Sequence, residues 1–356
     1  MPGEINLLRE LIAIPSVSGQ EAELAVFIEE TVRRWGFEVA RTVNAVQVEV
    51  RGWGPGPTIA LASHLDVVPP GAGWTRDPFT PSIEGTRLYG RGSGDAKASV
   101  AAMLYAAKDI VDSGGVDAGR LLVILGYGEE TKNTTMGSAV DAAGEIDAAV
   151  IGEPTSLEFA VAQRGLMMVD LLAQGDQRHA AYASGDDGFT NSVQLLARDL
   201  LKLDTLFGAR THPVLGRATA TATMLEAGVS RNVTPPVARA VLDIRSTPDW
   251  THEELADELR QALTSDVIVT SRRLVPCETP PNSRLLATAT RLRPGTRQFG
   301  SPTCSDWVFF REWDAIKCGP GTSRRSHTAD EFVDIPEVTA ARAFYGELVR
   351  AYLAGR

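Results

Sequence analysis

The chain has only five histidines, and one of them stands in LASHLDVVPP, two positions before an aspartate at the end of an apolar run. His64 and Asp66 have company. Asp95 falls in GSGDAK, Glu129 and Glu130 in GEET, Glu153 in GEPT and His327 in SHTADE. Two imidazoles with several carboxylates suit a borderline divalent cation, zinc best, with cobalt or manganese as substitutes. A carboxylate shared between two such ions would hold them ~3.5–4 Å apart, with a water activated between them.

The elements around these residues must bring them together. TIALASHLDVV, RLLVILGYGEE and AAVIGEP read as short buried strands, and each ends just before one of the candidate sites. DAKASVAAMLYAAKDIVDSG reads as an alanine-rich helix stopped at Gly114 and Gly115. EINLLRELIAI and GQEAELAVFIEETVRRWGF carry helical spacing, and FEVARTVNAVQVEVRG reads as two strands with a turn at Asn44. Strands alternating with helices imply an α/β domain with a mainly parallel central sheet, whose ligands gather outside the carboxyl ends of the strands. From RGLMMVDLLAQG to VIVTSRRL the order changes to β-α-β-β-α-β, a ferredoxin-like α+β unit inserted in the first. The expected division is residues 1–165 and 274–356 for the discontinuous metal-binding domain, and 166–273 for the insertion.

Composition narrows the function classes. The chain has 356 residues, 44% hydrophobic and 22% charged, enough for two domains with sizeable cores. A net charge of −10 disfavours a nucleic-acid partner. No apolar run approaches a membrane span, and MPGEINLLRE does not read as a signal peptide. Three cysteines, Cys277, Cys304 and Cys318, lack metal-ligand spacing and give no disulfide framework, so a cytoplasmic location is expected. GRGSGDAK is glycine-rich but matches neither the dinucleotide fingerprint nor a phosphate-binding P-loop.

The stretch HLDVVPPGAGWTRDPFTPSIEGTRLYGRGSGDAKASVAAML resembles the signature of the dizinc amidohydrolases that include acetylornithine deacetylase, succinyl-diaminopimelate desuccinylase, aminoacylases and glutamate carboxypeptidases. The resemblance covers nearly the whole chain. It implies that His64 and Glu153 serve the first zinc, Glu130 and His327 the second, and that Asp95 bridges both. It makes Glu129 the general base of amide hydrolysis and Asp66 the acid that orients the His64 ring. In the inserted lid, His179 resembles a histidine that the family supplies across a homodimer interface to the tetrahedral oxyanion, although Gln177 and Arg178 replace the usual small residues before it. Asn232 and Arg245 in SRNVTPPVARAVLDIRS resemble substrate-facing lid residues, with Arg245 able to grip a carboxylate through two hydrogen bonds.

The resemblance also bears on the substrate, a small N-acyl amino acid. FGSPTCSDW and CGPGTSRRSHTADEF are similar to short bacterial acetylornithine deacetylases, with Ser305 beside a substrate carboxylate. N-acetylornithine is therefore the first expectation. Succinyl-diaminopimelate is the second and a di- or tripeptide the third. Thr322 stands where related sequences carry an acid, and Arg324 and Arg325 add positive charge that suits an acidic side chain or acyl group. Because every expected position is filled, a non-catalytic binding protein on the same scaffold is disfavoured.

Overall fold

The computed structural model describes residues 1–183 and 188–355. Its contacts divide the chain into two compact units. The larger comprises Met1–Val161, Thr279–Phe299 and Ser305–Arg356, and the smaller comprises Ala162–Glu278 with Gly300–Cys304. The divide falls inside a strand, because Ala162 and Gln163 pair with Glu278 and Cys277. Gly300–Cys304 joins the smaller unit through a bond from Arg164 N–H to the Ser301 carbonyl.

The larger unit is built on one twisted sheet. Its strands lie in the order Glu38–Arg41, Ala45–Arg51, Ala118–Gly126, Gly54–His64, Ala148–Ile151, Asp314–Lys317 and Phe159–Gln163. The four in the middle are mutually parallel, and antiparallel strands flank them on both sides. A strand buried on both faces needs a nearly unbroken apolar run, and LLVILG and AAVI supply it. The late strand Asp314–Lys317 slots between Ala148–Ile151 and Phe159–Gln163, so the C-terminal part of the chain completes the sheet. Helices Gly3–Ala13, Ala22–Arg34, Lys97–Asp112 and Ile335–Leu353 bury apolar faces in the unit's main core. The alanines of Lys97–Asp112 let that helix pack closely on several sides, and 11 of its 16 residues are buried. The turn at Asn44 forms as read, with Thr42 Oγ1 accepting from the N–H groups of Asn44 and Ala45.

The smaller unit has its own core and a four-stranded antiparallel sheet in the order Thr219–Ala227, Val237–Ser246, Gly165–Gln174, Asp266–Leu274. Together with the helices Ser192–Leu200 and His252–Ala262 this is the ferredoxin-like arrangement. Alternation sets the register: Met167, Val169, Leu171 and Ala173 point inward while their neighbours are half-buried. Asn191 caps the first helix, and Thr251 and Glu254 form a complete capping box on the second. Among the described residues, no helix is long and apolar enough to cross a membrane.

Candidate metal centre

Parallel register brings the strand ends to one edge. His64 is the last residue of its strand and pairs with Gly126, so the turn after Gly126 carries Glu129 and Glu130 to its side. On the other flank Ala62 pairs with Ile151, and Glu153 follows two residues later. Asp95 comes from the loop that opens helix Lys97–Asp112, and its peptide bond to Ala96 is cis. His327 lies in the loop before the strand Phe332–Asp334, with a left-handed φ of 65°.

These side chains meet in the larger unit. Asp95 is the centre of the group. Its Oδ1 lies 3.3 Å from His64 Nε2, and its Oδ2 lies 3.7 Å from His327 Nε2. His64 Nε2 is also 3.8 Å from Glu153 Oε1, while His327 Nε2 is 2.9 Å from Glu130 Oε2. The set thus resolves into two halves that share one carboxylate. Single ligand atoms from His64, Asp95 and Glu130 all lie within 4.8 Å of one another.

Asp66 is fully buried behind this group. The resemblance makes it the partner of the His64 ring, but the nearer acceptor for His64 Nδ1 is the Asp66 backbone carbonyl at 3.0 Å, with the carboxylate at 3.5 Å. The carboxylate does something further: it accepts the N–H groups of Glu129 and Glu130 at 3.0 and 3.1 Å and the Ser18 hydroxyl at 2.7 Å. One buried acid therefore fixes both the histidine and the Glu129–Glu130 turn.

Electrostatics test whether cations belong here. Burial and the neighbouring Asp95 push the Glu153 carboxyl up to about 8. Burial, then Glu153, lifts Glu129 well above the usual carboxylate range, and burial also raises Glu130. Asp95 goes the other way: burial would raise it, but His64, Ser326 and His327 together outweigh that and lower it. For His64, the acids around it outweigh burial and raise it well above the ordinary imidazole value. His64 Nε2 and Glu153 Oε1 are buried without a properly formed hydrogen bond. Such polar atoms are costly unless something pairs with them. Packed acids and an imidazole lone pair converging on one region fit divalent cations.

Other expected residues behave differently. Ser305 sits in the larger unit, but its hydroxyl caps the short helix Asp306–Phe310 by accepting from Trp307 N–H. His179, Asn232 and Arg245 belong to the smaller unit. There His179 and Asn232 are neighbours, with the Ala180 N–H bonded to the Asn232 carbonyl at 2.7 Å, and both are exposed. Arg245 is held by Asp243 through two bonds of 2.7 and 3.0 Å. The fork expected to grip a substrate carboxylate thus has a carboxylate already in it. Arg325 packs 3.8 Å from the Phe332 ring centroid and pairs with Asp334 at 3.2 Å, while Arg324 is exposed. Thr322 forms a β-bridge with Thr155.

Two acids in this region were not singled out from the sequence. Asp306 is buried with both carboxylate oxygens lacking a hydrogen bond, and burial pushes it up to about 7. The SD pair in TCSDW was its only signal. Glu331 is buried against Arg91 and the glycine loop that carries Asp95.

Comparison with known proteins agrees with this geometry. Residues 60–351 match the model of peptidase family M20/M25/M40, and the chain belongs to that family. It is 29% identical to succinyl-diaminopimelate desuccinylase of Methylorubrum populi over 98% of both chains. It is 30% identical to the protein of that name from Rhizorhabdus wittichii, again over 98% of each. Its fold matches an aminopeptidase from Bacillus cereus with a TM-score of 0.81 at 18% identity, covering 99% of this chain and 97% of that one. It also matches a Bacillus subtilis protein described as a dinuclear metal-binding peptidase of the M20 family, with a TM-score of 0.73 at 16% identity and coverage of 99% and 98%. The protein is a metal-dependent amidohydrolase whose cofactor is a pair of divalent ions, typically zinc. The relatives bear the name of the second-ranked substrate, not of the N-acetylornithine enzyme placed first.

Proposed function

We propose that the chain hydrolyses the amide of an N-acyl amino acid whose acyl group is anionic, with N-succinyl-diaminopimelate ahead of N-acetylornithine. The carrying observation is the shared carboxylate, with Asp95 Oδ1 facing His64 and Oδ2 facing His327. His64, Glu153 and Asp95 would hold one ion, and Glu130, His327 and Asp95 the other. Ions bound there supply Lewis acidity toward the amide carbonyl and toward water. Glu129, outside both halves and half-buried, is the base: its raised proton affinity favours taking a proton from water and returning it to the leaving amine as the C–N bond breaks. His179, with Asn232 beside it, provides donors to the developing oxyanion, from the partner copy of a homodimer. Arg245 meets the substrate α-carboxylate in exchange for Asp243.

The succinyl preference rests on the named relatives and on charge. Thr322 offers no carboxylate to an ornithine ammonium, and the exposed Arg324 adds positive charge three positions before His327. The location proposed is the cytoplasm, which would keep the three free cysteines reduced. The test is amine release by the zinc-loaded enzyme from N-succinyl-diaminopimelate, N-acetylornithine and a dipeptide, side by side. Preference for the succinyl substrate is expected. A preference for N-acetylornithine would overturn the acyl assignment and leave the metal assignment standing.

A further inference from the structure

The loop that presents Asp95 is glycine-rich and lies deep in the larger unit, with Arg91, Ser93 and Ala96 all buried. Gly92 has a left-handed φ of +80°, and a Cβ there would lie 2.6 Å from Val67 Cγ1, so the loop must follow one path close to its surroundings. What fixes that path is a single side chain from the far end of the chain. Glu331 is 1% exposed. Its Oε2 accepts from Arg91 Nη1 at 2.6 Å and from Gly92 N–H at 3.1 Å. Its Oε1 accepts from the N–H groups of Gly94 and Asp95 at 2.9 and 3.1 Å. The Glu331 carbonyl also accepts Gly90 N–H at 3.0 Å. Arg91, itself buried, lies 5.1 Å from the centroid of Trp74.

We infer that Glu331 is a positioning residue of the metal centre: it shapes the Asp95 loop before metal arrives, and through its own segment ties that loop to His327. An ion pair serving stability alone would need Arg91 and nothing more, and buried pairs are weak contributors in any case. Here three amides of one short loop, those of Gly92, Gly94 and Asp95, converge on the same carboxylate, and the last belongs to the shared ligand itself. Glu331 stands four residues after His327, so one short segment sets the placement of two of the five metal-binding side chains. Asp66 plays the matching part for Glu129 and Glu130. Two of the candidate metal-bearing loops therefore have a buried acid behind them that takes up backbone donors.

A glutamine is a sharp probe, because both oxygens of Glu331 face only donors. An amide in either orientation sets its NH₂ against two of them. The experiment is a zinc titration of full-length metal-free protein against a competing chelator, for wild type, E331Q and D95N, with thermal unfolding of the metal-free forms alongside. E331Q is expected to bind zinc about 10–100-fold more weakly. A purely structural role would lower the unfolding midpoint without moving the zinc affinity of the folded protein, and affinity within twofold of wild type would overturn the inference. D95N separates the two assignments. Wild-type affinity in D95N sinks Asp95 as a ligand, whereas loss in D95N with none in E331Q sinks Glu331 alone. If E331Q does not fold, hydrogen exchange of metal-free wild type decides, read at Gly92, Gly94 and Asp95 by fragmentation. Protection of those amides is expected, and exchange at unstructured rates would overturn the proposal.

Discussion

Zinc affinity should rise steeply with pH between about 6 and 8. The perturbation is pH alone. In the proposed role of metal ligand Glu153 must be ionised, and in the metal-free protein burial and Asp95 push its carboxyl up to about 8. The fraction ionised at pH 6 is about 1%, a cost of about 2.7 kcal/mol relative to full ionisation. Between pH 6 and pH 8 this one group gives about a 50-fold gain in affinity. His64, raised well above its ordinary value by surrounding acids that outweigh its burial, must also shed a proton, which steepens the rise. The assay is calorimetric zinc titration at pH 7 in buffers of different ionisation enthalpy, which counts protons released. Between one and two are expected. The sign for stability is opposite. A carboxyl raised above its unfolded value of 4.5 binds more protons in the folded state, so metal-free stability falls as pH climbs from there toward 8. Zinc should therefore raise the unfolding midpoint more at pH 8 than at pH 6. Zinc binding with no proton release and equal affinity at pH 6 and 8 would refute this electrostatic account.

Three other predictions concern single side chains. Glu129→Gln should lower turnover by about 10²–10⁴-fold while zinc stoichiometry stays at two, and an enzyme retaining most of its activity would remove Glu129 as the base. Arg245→Ala should raise KM for substrates with a free α-carboxylate far more than it lowers kcat, and an unchanged KM would leave Arg245 as nothing more than the partner of Asp243. Arg342→Met should destabilise the protein by about 3 kcal/mol in chemical denaturation, because it strands the buried carboxylate of Glu4 and breaks the bidentate pair with Asp109; a loss near zero would mean these pairs carry no net stability.

Much of the site was legible because it obeys local rules. His64, Glu129 and Glu153 each follow an apolar run, and parallel register then does the gathering. The period-two alternation of GLMMVDLLAQ likewise fixed the inward face of the smaller unit's first long strand. Arg245 stood out from the sequence too, but as a residue facing substrate; the structure pairs it with Asp243, two positions away on the same strand face. Glu331 and Asp306 were not legible. An acid in DEF or SDW looks like a solvated loop residue. Nothing in its vicinity tells that Glu331 meets Arg91 240 residues away, or that Asp306 is buried among other acids. Such roles exist only after distant segments have met.

That separation also orders events in time. His327 follows Glu130 by 197 residues, and the whole smaller unit is made in between. At synthesis rates of ~5–20 residues per second, Glu130 waits ~10–40 s for His327. Through that interval the growing chain holds a crowd of acids without the segment that clamps Asp95 or the strand Asp314–Lys317 that completes the sheet. With the ligand set proposed above, a full two-ion centre cannot form before the segment carrying His327 has been made. Metal loading then waits on that late segment and not on the first acids to emerge.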